Sequence, residues 1–478
     1  MPDGQTRGGS LWKRILLGAF LIVVAAAGAT SVAAFREVNR VVSAFNAEPR
    51  LDVGRELATA DAGKPQTILL IGSDYRVKGA SGAGGGARSD TIILIRLDPS
   101  KQATALLSIP RDLKVSVPGH GISKINEAYT EGGAKLTLAT VKEITGLRIN
   151  HVISVNFLGF VDAVNQLGCV YMDIDRRYYN SGLGPNSYAA INLQPGYQRM
   201  CGRDALSFVR FRHTDTDIVR GARQQEFLAQ MKQQISLGTL FGERAKLLKI
   251  FGKYTRSDIR SRSSVLRLLK LAILSAGHPI EQIPFRGRLG QTYVYSTDAD
   301  LHKMARQFIG VESVGSAAQT PTGHHRRRHG RTASSLGLTD SSLGRQTALQ
   351  LVQQGARIPV YYPRLIGSAD QVISPPRAYA FVAKNHKHFP AYRIVVKSPR
   401  LGQYWGLQGL AWKNPPILKG PHDVRHYHGE EYDLYYEGRV LRTVAWRTSR
   451  AVYWVENSLS GALRPTQMIT IARTAHRL

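Results

Sequence analysis

Two apolar runs separated by a polar turn form the strongest pattern in the chain. Residues 91–97 and 103–109 are nearly continuous in aliphatic and β-branched side chains, and Asp98-Pro99-Ser100-Lys101 lies between them. Proline presets the backbone for the second position of a turn, and an unbroken apolar run is typical of a strand that is covered on both faces. The pattern therefore predicts a largely buried β-hairpin.

Polar residues gather at the two free ends of this hairpin. Arg88, Ser89 and Asp90 precede the first run, and Arg111 and Asp112 follow the second. In an antiparallel pair the start of one strand lies beside the end of the next, so we expect these side chains at one rim. Two guanidiniums and a carboxylate at the rim of an apolar sheet suit a metal-bridged phosphate.

Strand-like and helical periodicities alternate along the chain up to about residue 310. A buried strand at 67–72 ends in the polar cluster Ser73-Asp74-Tyr75-Arg76. Further strands are predicted at 152–155, 169–175 and 293–295, and helices at 134–146, 157–167, 223–237, 243–253, 264–276 and 298–309. Residues 176–199, rich in Tyr, Asn, Gly and Pro, are predicted to be an irregular loop. The alternation predicts an α/β fold with a mixed central sheet flanked by helices.

Two arginines, Arg210 and Arg212, lie two positions apart at the end of another apolar segment. On a strand such residues share a face, whereas on a helix they would diverge by about 200°. We therefore predict that residues 208–212 are extended, with Phe208 on the arginine face. Val209 and Phe211 would then point into the core.

The composition changes twice after the α/β region. Residues 312–345 are rich in Gly, Ser, Thr and Ala and contain a basic run at 324–329, which is typical of a linker. Residues 346–478 hold many short strand-like segments with abundant Tyr and Trp. They predict a small β-rich accessory domain, whose task the sequence leaves open.

The N-terminus carries an uncharged apolar segment at 15–35, preceded by Arg7, Lys13 and Arg14. About 20 apolar residues cross a bilayer core, and the basic flank favours the cytoplasmic side. We predict a cytoplasmic tail (1–14), a transmembrane anchor (15–35), a stalk (36–64) and an extracytoplasmic catalytic domain (65–311). Small residues near 31–34 leave a cleaved signal peptide as the alternative.

Charge and cysteine content refine this picture. The net charge of +30 favours anionic partners, and an extracytoplasmic location makes nucleic acid an unexpected one. Cys169 and Cys201 would lie in an oxidising compartment, where a disulfide is expected and two buried free thiols are the alternative.

Six short segments occur in an order that resembles one bacterial family. They are IGSD (71–74), RSDT (88–91), SIPRD (108–112), KIN (124–126), ALSFVRFR (205–212) and DIVRGARQQ (217–225). In this order, behind an apolar N-terminal segment, they resemble the LytR–CpsA–Psr family of cell-envelope proteins. The resemblance covers about residues 67–240 and extends weakly to about 310.

The resemblance implies transfer of a glycopolymer from a polyprenyl-pyrophosphate carrier to a peptidoglycan hydroxyl, with the lipid in an apolar tunnel and Mg²⁺ at the pyrophosphate. Asp74 and Asp90 would be the metal-associated carboxylates. The candidate catalytic residues are Arg88, Asp90, Arg111, Arg210, Arg212 and Asp217. The candidate substrate-binding residues are Arg76, Lys124, Asn126, Arg220, Arg223 and Gln224. The chain departs from the family pattern at Val219, where glycine is usual, and in a long glycine-rich loop after Asp74.

Physical chemistry agrees with these assignments and leaves some roles open. Cleavage of a pyrophosphate spreads negative charge over several oxygens, and the planar fork of arginine binds two oxygens at once. Asp217 could orient the acceptor hydroxyl or only pair with an arginine, and Lys124 and Asn126 could support the site or only their loop. Two other functions compete: a polyprenyl-pyrophosphate pyrophosphatase, and a non-enzymatic wall-binding or regulatory protein.

Overall fold

The computed structural model describes most of the chain after residue 63. The described residues are 36, 39–44, 46, 51–53, 56–59, 61, 63–73, 89–101, 103–181, 190–211, 215–275, 277–310, 333–399, 402–420, 422–437 and 440–478. Asp74, Arg76, Arg88 and Arg212 lie outside them, as does the apolar segment 15–35. Among the described residues, no helix combines the length and the hydropathy needed to cross a membrane.

Strands and helices alternate in the first part of the chain, up to residue 310. The strands are β1 (Gln66–Ser73), β2 (Ser89–Leu97), β3 (Thr104–Ile109), β4 (Lys114–Val117), β5 (Gly121–Lys124), β6 (His151–Asn156), β7 (Val170–Ile174), β8 (Tyr178–Asn180), β9 (Ile191–Leu193), β10 (Gly196–Met200), β11 (Thr255–Ser257), β12 (Ile280–Ile283), β13 (Arg288–Leu289) and β14 (Val294–Tyr295). The helices are α1 (Glu127–Thr145), α2 (Phe157–Gln166), α3 (Gly202–Arg210), α4 (Asp217–Gln234), α5 (Leu237–Gly242), α6 (Arg244–Tyr254), α7 (Arg262–Leu274) and α8 (Asp298–Ile309).

Six of these strands form the central sheet, in the order β11-β6-β1-β2-β3-β12. β1 pairs antiparallel with β2 and parallel with β6, and β12 pairs parallel with β3. β2 and β3 are antiparallel, with Ile92 opposite Ile109, so the predicted hairpin is confirmed. The sheet is mixed, and the start of β2 lies beside the end of β3.

Alternation along β1 and β2 gives the two faces of the sheet different neighbours. Leu69 and Ile92 belong to the main core, to which α1 and α8 also contribute. Leu70 and Ile93 point to the other face and line a hollow beside α2, α3 and α4. Because successive side chains point to opposite faces, the same two strands supply both the packed core and the wall of the hollow.

The segment that carries Arg210 is helical, so the prediction of an extended stretch at 208–212 is wrong for its described residues. α3 ends at Arg210, and only Phe211 leaves the helical region. Ala205, Phe208 and Val209 are buried. They lie at positions i, i+3 and i+4, which form the apolar stripe of an amphipathic helix. Phe208 consequently packs in the core, edge-on to Tyr178, and does not share a face with Arg210.

The predicted loop at 176–199 and the two cysteines also have defined structure. β8 pairs with β9 and β10 pairs with β7, so the loop prediction is wrong for most of its described residues. A disulfide joins Cys169 and Cys201, which excludes the alternative of two free thiols. Cys201 is the N-cap of α3, so the bond ties the start of β7 to the helix that carries Arg210.

The ends of the predicted stalk and linker contain ordered elements. Leu51 and Val53 are buried in the main core, so this part of the 36–64 segment packs against the sheet. Residues 311–332 of the predicted linker lie outside the described residues. Within its last residues, β15 (Leu338–Asp340) is formed and α9 (Gly344–Gln353) begins.

A seven-stranded antiparallel sheet dominates the C-terminal part, in the order β18-β19-β20-β24-β23-β22-β21. The remaining elements are β16 (Tyr361–Tyr362), β17 (Leu365–Gly367), β18 (Gln371–Val382), β19 (His388–Lys397), β20 (Tyr404–Leu410), β21 (Asp423–Tyr427), β22 (Glu430–Glu437), β23 (Val440–Arg447), β24 (Val452–Glu456), β25 (His476–Arg477) and α10 (Pro465–Arg473). α9 and α10 cover one face of this sheet. The expectation of a β-rich C-terminal part is confirmed.

The other face of the seven-stranded sheet packs against β7 and β10. Tyr197 of β10 is fully buried among aromatic side chains that include Phe381 and Trp454. Asp173 of β7 accepts hydrogen bonds from Arg393 Nη1 at 2.6 Å and Trp454 Nε1 at 2.8 Å. This pair constrains how the two parts dock, because replacing either Asp173 or Arg393 alone would leave the other charge buried and unpaired.

Candidate active site

The predicted rim of the hairpin is held together by Asp90. Arg111 Nη1 donates to Asp90 Oδ1 at 2.6 Å, and Arg210 Nη2 donates to Asp90 Oδ2 at 2.8 Å. Asp90 lies at the start of β2, Arg111 just after β3, and Arg210 at the last position of α3. One carboxylate thus gathers two guanidiniums from elements that are distant in sequence, and each side chain keeps 14–20% of its surface exposed.

Two environmental effects oppose each other at Asp90. Burial disfavours the ionised carboxyl, but the charges of Arg210 and Arg111 outweigh burial and lower its pKa. The carboxylate is therefore ionised at neutral pH. The centroid of the Phe157 ring lies 4.1 Å from Cζ of Arg210, within the range of a cation–π contact.

The N-terminus of α4 forms the second half of the site. The hydroxyl of Thr216 caps the helix by accepting from the Val219 amide at 3.2 Å. Asp217 follows it and pairs with Arg220 Nη2 at 2.8 Å. Burial lowers the pKa of Arg220, and the charge of Asp217 partly compensates. A helix N-terminus with an adjacent guanidinium favours anions at this point.

Asp112 connects the hairpin rim to the α4 terminus and was not predicted as a site residue. Its backbone amide donates to Asp217 Oδ2 at 3.1 Å, and its carboxylate lies 3.3 Å from Lys124 Nζ. Burial raises the pKa of Asp112, and the neighbouring charge of Asp217 raises it further. The hairpin pattern places it at the predicted rim beside Arg111 but assigns it no role in the site.

Two other predicted residues lie near the rim in supporting positions. Asn126 is buried, and its backbone amide donates to the Arg111 carbonyl at 3.1 Å. Gln224 Nε2 donates to Thr91 Oγ1 at 3.0 Å and to the Val209 carbonyl at 3.2 Å, which joins α4 to β2 and α3. The backbone of Asn126 and the side chain of Gln224 thus each contact a segment that carries a charged site residue.

Arg223 is turned away from the rim. It is fully buried, pairs with Asp215, and donates to the carbonyls of Phe208 at 2.8 Å and Phe211 at 2.9 Å. Its guanidinium also lies 4.8 Å from the ring centroid of Tyr178. These contacts anchor the segment after α3 to α4, so the geometry gives Arg223 a structural role beneath the site.

An apolar hollow of about 120 Å³ opens beside Arg210. It lies between the sheet and the helices α2, α3 and α4, and is lined by Leu70, Ile93, Phe157, Phe160, Leu206, Phe227 and other apolar side chains, with Gln224 at its edge. A cavity of roughly 150 Å³ with aliphatic and aromatic walls admits a molecule as large as benzene. The hollow therefore has room for about one isoprene-sized group next to the charged rim.

The structure thus brings together Asp90, Arg111, Arg210, Asp217, Arg220 and Lys124 in one chain of ion pairs and hydrogen bonds. Asp74, Arg76, Arg88 and Arg212 lie outside the described residues, although Arg88 and Arg212 directly flank described segments in sequence.

The same residues fall within a family match. A model described as the LytR_cpsA_psr family matches residues 26–307, which is more than half of the chain. The chain belongs to the LytR–CpsA–Psr family. The resemblance carried by the six short segments is therefore confirmed.

Individual relatives are similar over the same region. The chain is 32% identical over 224 residues to the polyisoprenyl-teichoic acid–peptidoglycan teichoic acid transferase TagT of Bacillus subtilis (strain 168), covering 46% of this chain and 68% of TagT. It is 34% identical over 220 residues to the probable cell wall biosynthesis protein LcpB of Corynebacterium glutamicum, covering 44% of this chain and 51% of LcpB. A solved structure, TagT bound to LIIa-WTA, has a TM-score of 0.43 at 26% identity and covers 55% of this chain and 98% of that chain.

Proposed function

We propose that this protein transfers a glycopolymer from a polyprenyl-pyrophosphate carrier to a hydroxyl of peptidoglycan, and forms a phosphodiester. One observation carries the proposal. Arg111 and Arg210 converge on Asp90, and Arg210 also lines the apolar hollow, an arrangement that would suit a diphosphate whose lipid chain enters the hollow. The names of the relatives, which include teichoic acid transferases and a probable cell wall biosynthesis protein, support the same class of reaction.

The reaction requires one phosphorus–oxygen bond to form and one to break. An acceptor hydroxyl attacks the phosphorus that is bonded to the polymer, and polyprenyl phosphate leaves with the bridging oxygen. Arg111 and Arg210 would bind the non-bridging oxygens, on which negative charge accumulates in the transition state. Asp217 would accept the hydrogen bond of the acceptor hydroxyl and receive its proton, while Arg220 holds the carboxylate in place.

Magnesium fits the donor chemistry of this site. Each oxygen of Asp90 accepts one guanidinium N–H. A carboxylate offers about four lone-pair positions, so each oxygen still has a lone pair with which it could bind a cation. Mg²⁺ commonly binds one or two carboxylates together with substrate phosphates. We propose that Asp90 and Asp74 hold it, and that it neutralises phosphate charge. Among the described residues there is no group of three or more His, Cys, Asp and Glu that could hold a metal by itself.

We further propose that residues 15–35 anchor the protein in the cell membrane in a single pass, with the catalytic part outside the cytoplasm. The apolar length of the segment and its basic flank support this orientation. The disulfide between Cys169 and Cys201 also supports it, since disulfides persist in oxidising compartments. This arrangement would place the hollow on the side of the membrane where peptidoglycan is assembled.

The test uses the full-length protein in detergent with a lipid-linked glycopolymer, Mg²⁺ and peptidoglycan. We expect polymer to become bound to peptidoglycan. Replacing Arg210 by lysine should slow transfer by about 10–100-fold, because an ammonium cannot reproduce the two-oxygen contact of a guanidinium. Arg96→Lys, on the same strand as Asp90 but at its opposite end, is the matched control and should transfer normally.

Two results would contradict the proposal. Phosphate release that persists with peptidoglycan present, without polymer transfer, would assign the site to a pyrophosphatase. Normal wall-polymer attachment in cells that carry Asp90→Ala would assign the protein to the wall-binding class, because the transferase needs this carboxylate.

A further inference from the structure

Helix α4 separates two hollows of different character. The apolar hollow lies against Gln224, Phe227 and Leu228, whereas Ile218 and Gln225 face a second space between the α/β part and the C-terminal sheet. Residues spaced by three, four or seven share a helix face, so these sets form two distinct stripes. Arg210 lines the apolar hollow, and Asp217, at the N-terminus of α4, lines the second space.

The second space is a groove with walls from both parts of the chain. Its near end, about 100 Å³, begins at Asp217 and is closed on the far side by Val440, Leu459 and Ser460. Its far end, about 360 Å³, runs along the C-terminal half of α4. The two ends share Glu437 and Arg442 as lining residues. From Asp217 to Lys232 the helix rises about 22 Å, so the two ends together span the length of a short chain of sugar rings.

A hydrogen-bonded cluster of polar side chains lies where the near and far ends adjoin, and it fixes the distance between the two walls. Gln282 Nε2 donates to Glu437 Oε2 at 2.7 Å and to Glu226 Oε2 at 3.2 Å. Arg442 Nε donates to Glu437 Oε2 at 2.7 Å. Glu226 and Gln282 belong to the α/β part, and Glu437 and Arg442 to the C-terminal sheet. The groove is therefore a fixed feature of the fold.

The far end is suited to acidic sugars. Lys232 Nζ donates to Thr104 Oγ1 at 3.3 Å and to backbone carbonyls, and no carboxylate pairs with it within the part of the chain that the structure describes. Burial lowers the pKa of Lys232 to about 8 because it destabilises the charged ammonium, and a bound anion nearby would stabilise that charge. Exposed Lys419 and the ring of Tyr436 line the same end, and they add a second cation and an apolar surface for a sugar face.

The geometry of the reaction determines which substrate this groove receives. In phosphoryl transfer the attacking and leaving oxygens lie roughly in line across the phosphorus. The leaving polyprenyl phosphate occupies the apolar side of α4, so the acceptor hydroxyl must approach from the opposite side. That side is the groove, and Asp217, the group proposed to accept the hydroxyl proton, lies at its near end.

We propose that the groove between the α/β part and the C-terminal sheet binds the acceptor, a peptidoglycan glycan strand. Lys419 and Tyr436 contact its sugars and the carboxylates of its stem peptides, and Lys232 adds positive charge from the wall of the groove. This assignment rests on the proposed function. It gives the C-terminal part a task, which is to complete the acceptor site.

The test compares variants of the full-length protein whose substitutions lie on exposed groove residues. Lys419→Glu and Tyr436→Ala change the far wall, and Lys413→Glu and Tyr179→Ala are matched exposed controls outside the groove. Affinity for soluble, uncrosslinked glycan strands with stem peptides is measured directly. The KM values for the strand and for the lipid-linked donor are measured in the transfer assay.

We expect Lys419→Glu and Tyr436→Ala each to weaken strand binding by about 5–10-fold, and the double variant by more, because each removes one favourable contact. The KM for the strand should rise in parallel, while the KM for the donor and the thermal midpoint stay at wild-type values. The control variants should bind strands as wild type does.

The binding and transfer measurements distinguish failure of the acceptor groove from failure of the proposed transferase function. If groove variants bind strands normally, or if the donor KM rises instead, the groove does not hold the acceptor and the inference is wrong. If the wild-type protein binds strands but transfers nothing, the proposed function fails, while the direct binding comparison still decides whether the groove is a glycan site.

Discussion

Asp90→Asn is the perturbation that probes the centre of the site most sharply. The carboxylate neutralises two guanidiniums that are 14% and 20% exposed, and asparagine keeps one acceptor oxygen but places an N–H₂ group against the other arginine. A hydrogen bond to a charged group contributes about 1.5–3 kcal/mol, so we expect the ligand-free protein to lose about 2–3 kcal/mol. For a domain of this size, the thermal midpoint should fall by about 4–12 °C.

The same substitution should make the site a better receptor for a free anion. In the wild-type protein Asp90 neutralises part of the charge of both guanidiniums, whereas in the variant, without Mg²⁺, that charge is available to inorganic pyrophosphate. A ligand that binds only the folded state raises its stability by RT ln(1 + [L]/Kd). Pyrophosphate should therefore raise the midpoint of Asp90→Asn by more than it raises that of the wild type, even though polymer transfer is lost.

The pH dependence follows from the lowered pKa of Asp90. A carboxyl whose pKa is lowered on folding stabilises the protein above its unfolded pKa, and the contribution disappears as pH falls through the folded value. The stability difference between wild type and Asp90→Asn should thus be constant at neutral pH and shrink below about pH 4.

Asp98→Asn is the matched control for this prediction. Asp98 is a buried carboxylate at the opposite end of the same hairpin, where it pairs with Arg96 at 3.3 Å. The Asp98→Asn substitution should also destabilise the protein, but it should leave the shift in thermal midpoint on adding pyrophosphate at the wild-type value. Differential scanning fluorimetry with and without pyrophosphate makes the comparison. Equal pyrophosphate shifts in wild type and Asp90→Asn would refute the argument that the carboxylate and a diphosphate compete for the same arginines.

Three further predictions concern other parts of the fold. Leu206→Trp should fill the apolar hollow and raise the KM for the lipid-linked donor at least about 10-fold without lowering the thermal midpoint; normal donor kinetics would contradict a lipid site there. Changing Cys169 and Cys201 to alanine should cost about 3 kcal/mol of unfolding free energy in denaturant titrations, since the bond closes a loop of moderate length, and an unaltered titration midpoint would contradict this. Burial, with the charge of a neighbouring glutamate, raises the pKa of Glu437 to about 8, so unfolding free energy should fall by up to about 1.4 kcal/mol per pH unit between pH 4.5 and 8. Glu437→Gln should flatten this slope, and an unchanged slope would show that another group causes it.

The sequence was most informative where local pattern and topology agree. The hairpin was predictable because two continuous apolar runs flank a proline turn, and antiparallel pairing then brings Asp90 and Arg111 to one rim. The two faces of the central sheet likewise follow from the alternation of side chains along β1 and β2.

The sequence was misleading where short segments fit two periodicities. Arg210 and Arg212 share a face on a strand, but Ala205, Phe208 and Val209 satisfy a helix, and burial of that stripe decided the structure. Arg223 shows a second limit of prediction from sequence, which is that a motif does not reveal the partners of a buried side chain. Its motif position suggested substrate contact, yet Asp215 and two backbone carbonyls hold it beneath the site, and no local pattern reveals such a partner.

Long-range packing accounts for the remaining features. The groove depends on contacts between Glu226 and Gln282 on one side and Glu437 and Arg442 on the other, which are separated by about 155 to 216 residues in the chain. Each of these residues alone resembles an ordinary polar surface position. Only the docking of the C-terminal sheet on β7 and β10 brings them together.

A structure of the protein with polyprenyl pyrophosphate bound is the most direct test of a diphosphate site beside a lipid site. We expect both phosphates within hydrogen-bond distance, about 3 Å, of Arg111 and Arg210, with the first isoprene unit in the hollow between the sheet and α4. A lipid bound anywhere else, or phosphates that leave Asp90 and both arginines undisturbed and uncontacted, would contradict it.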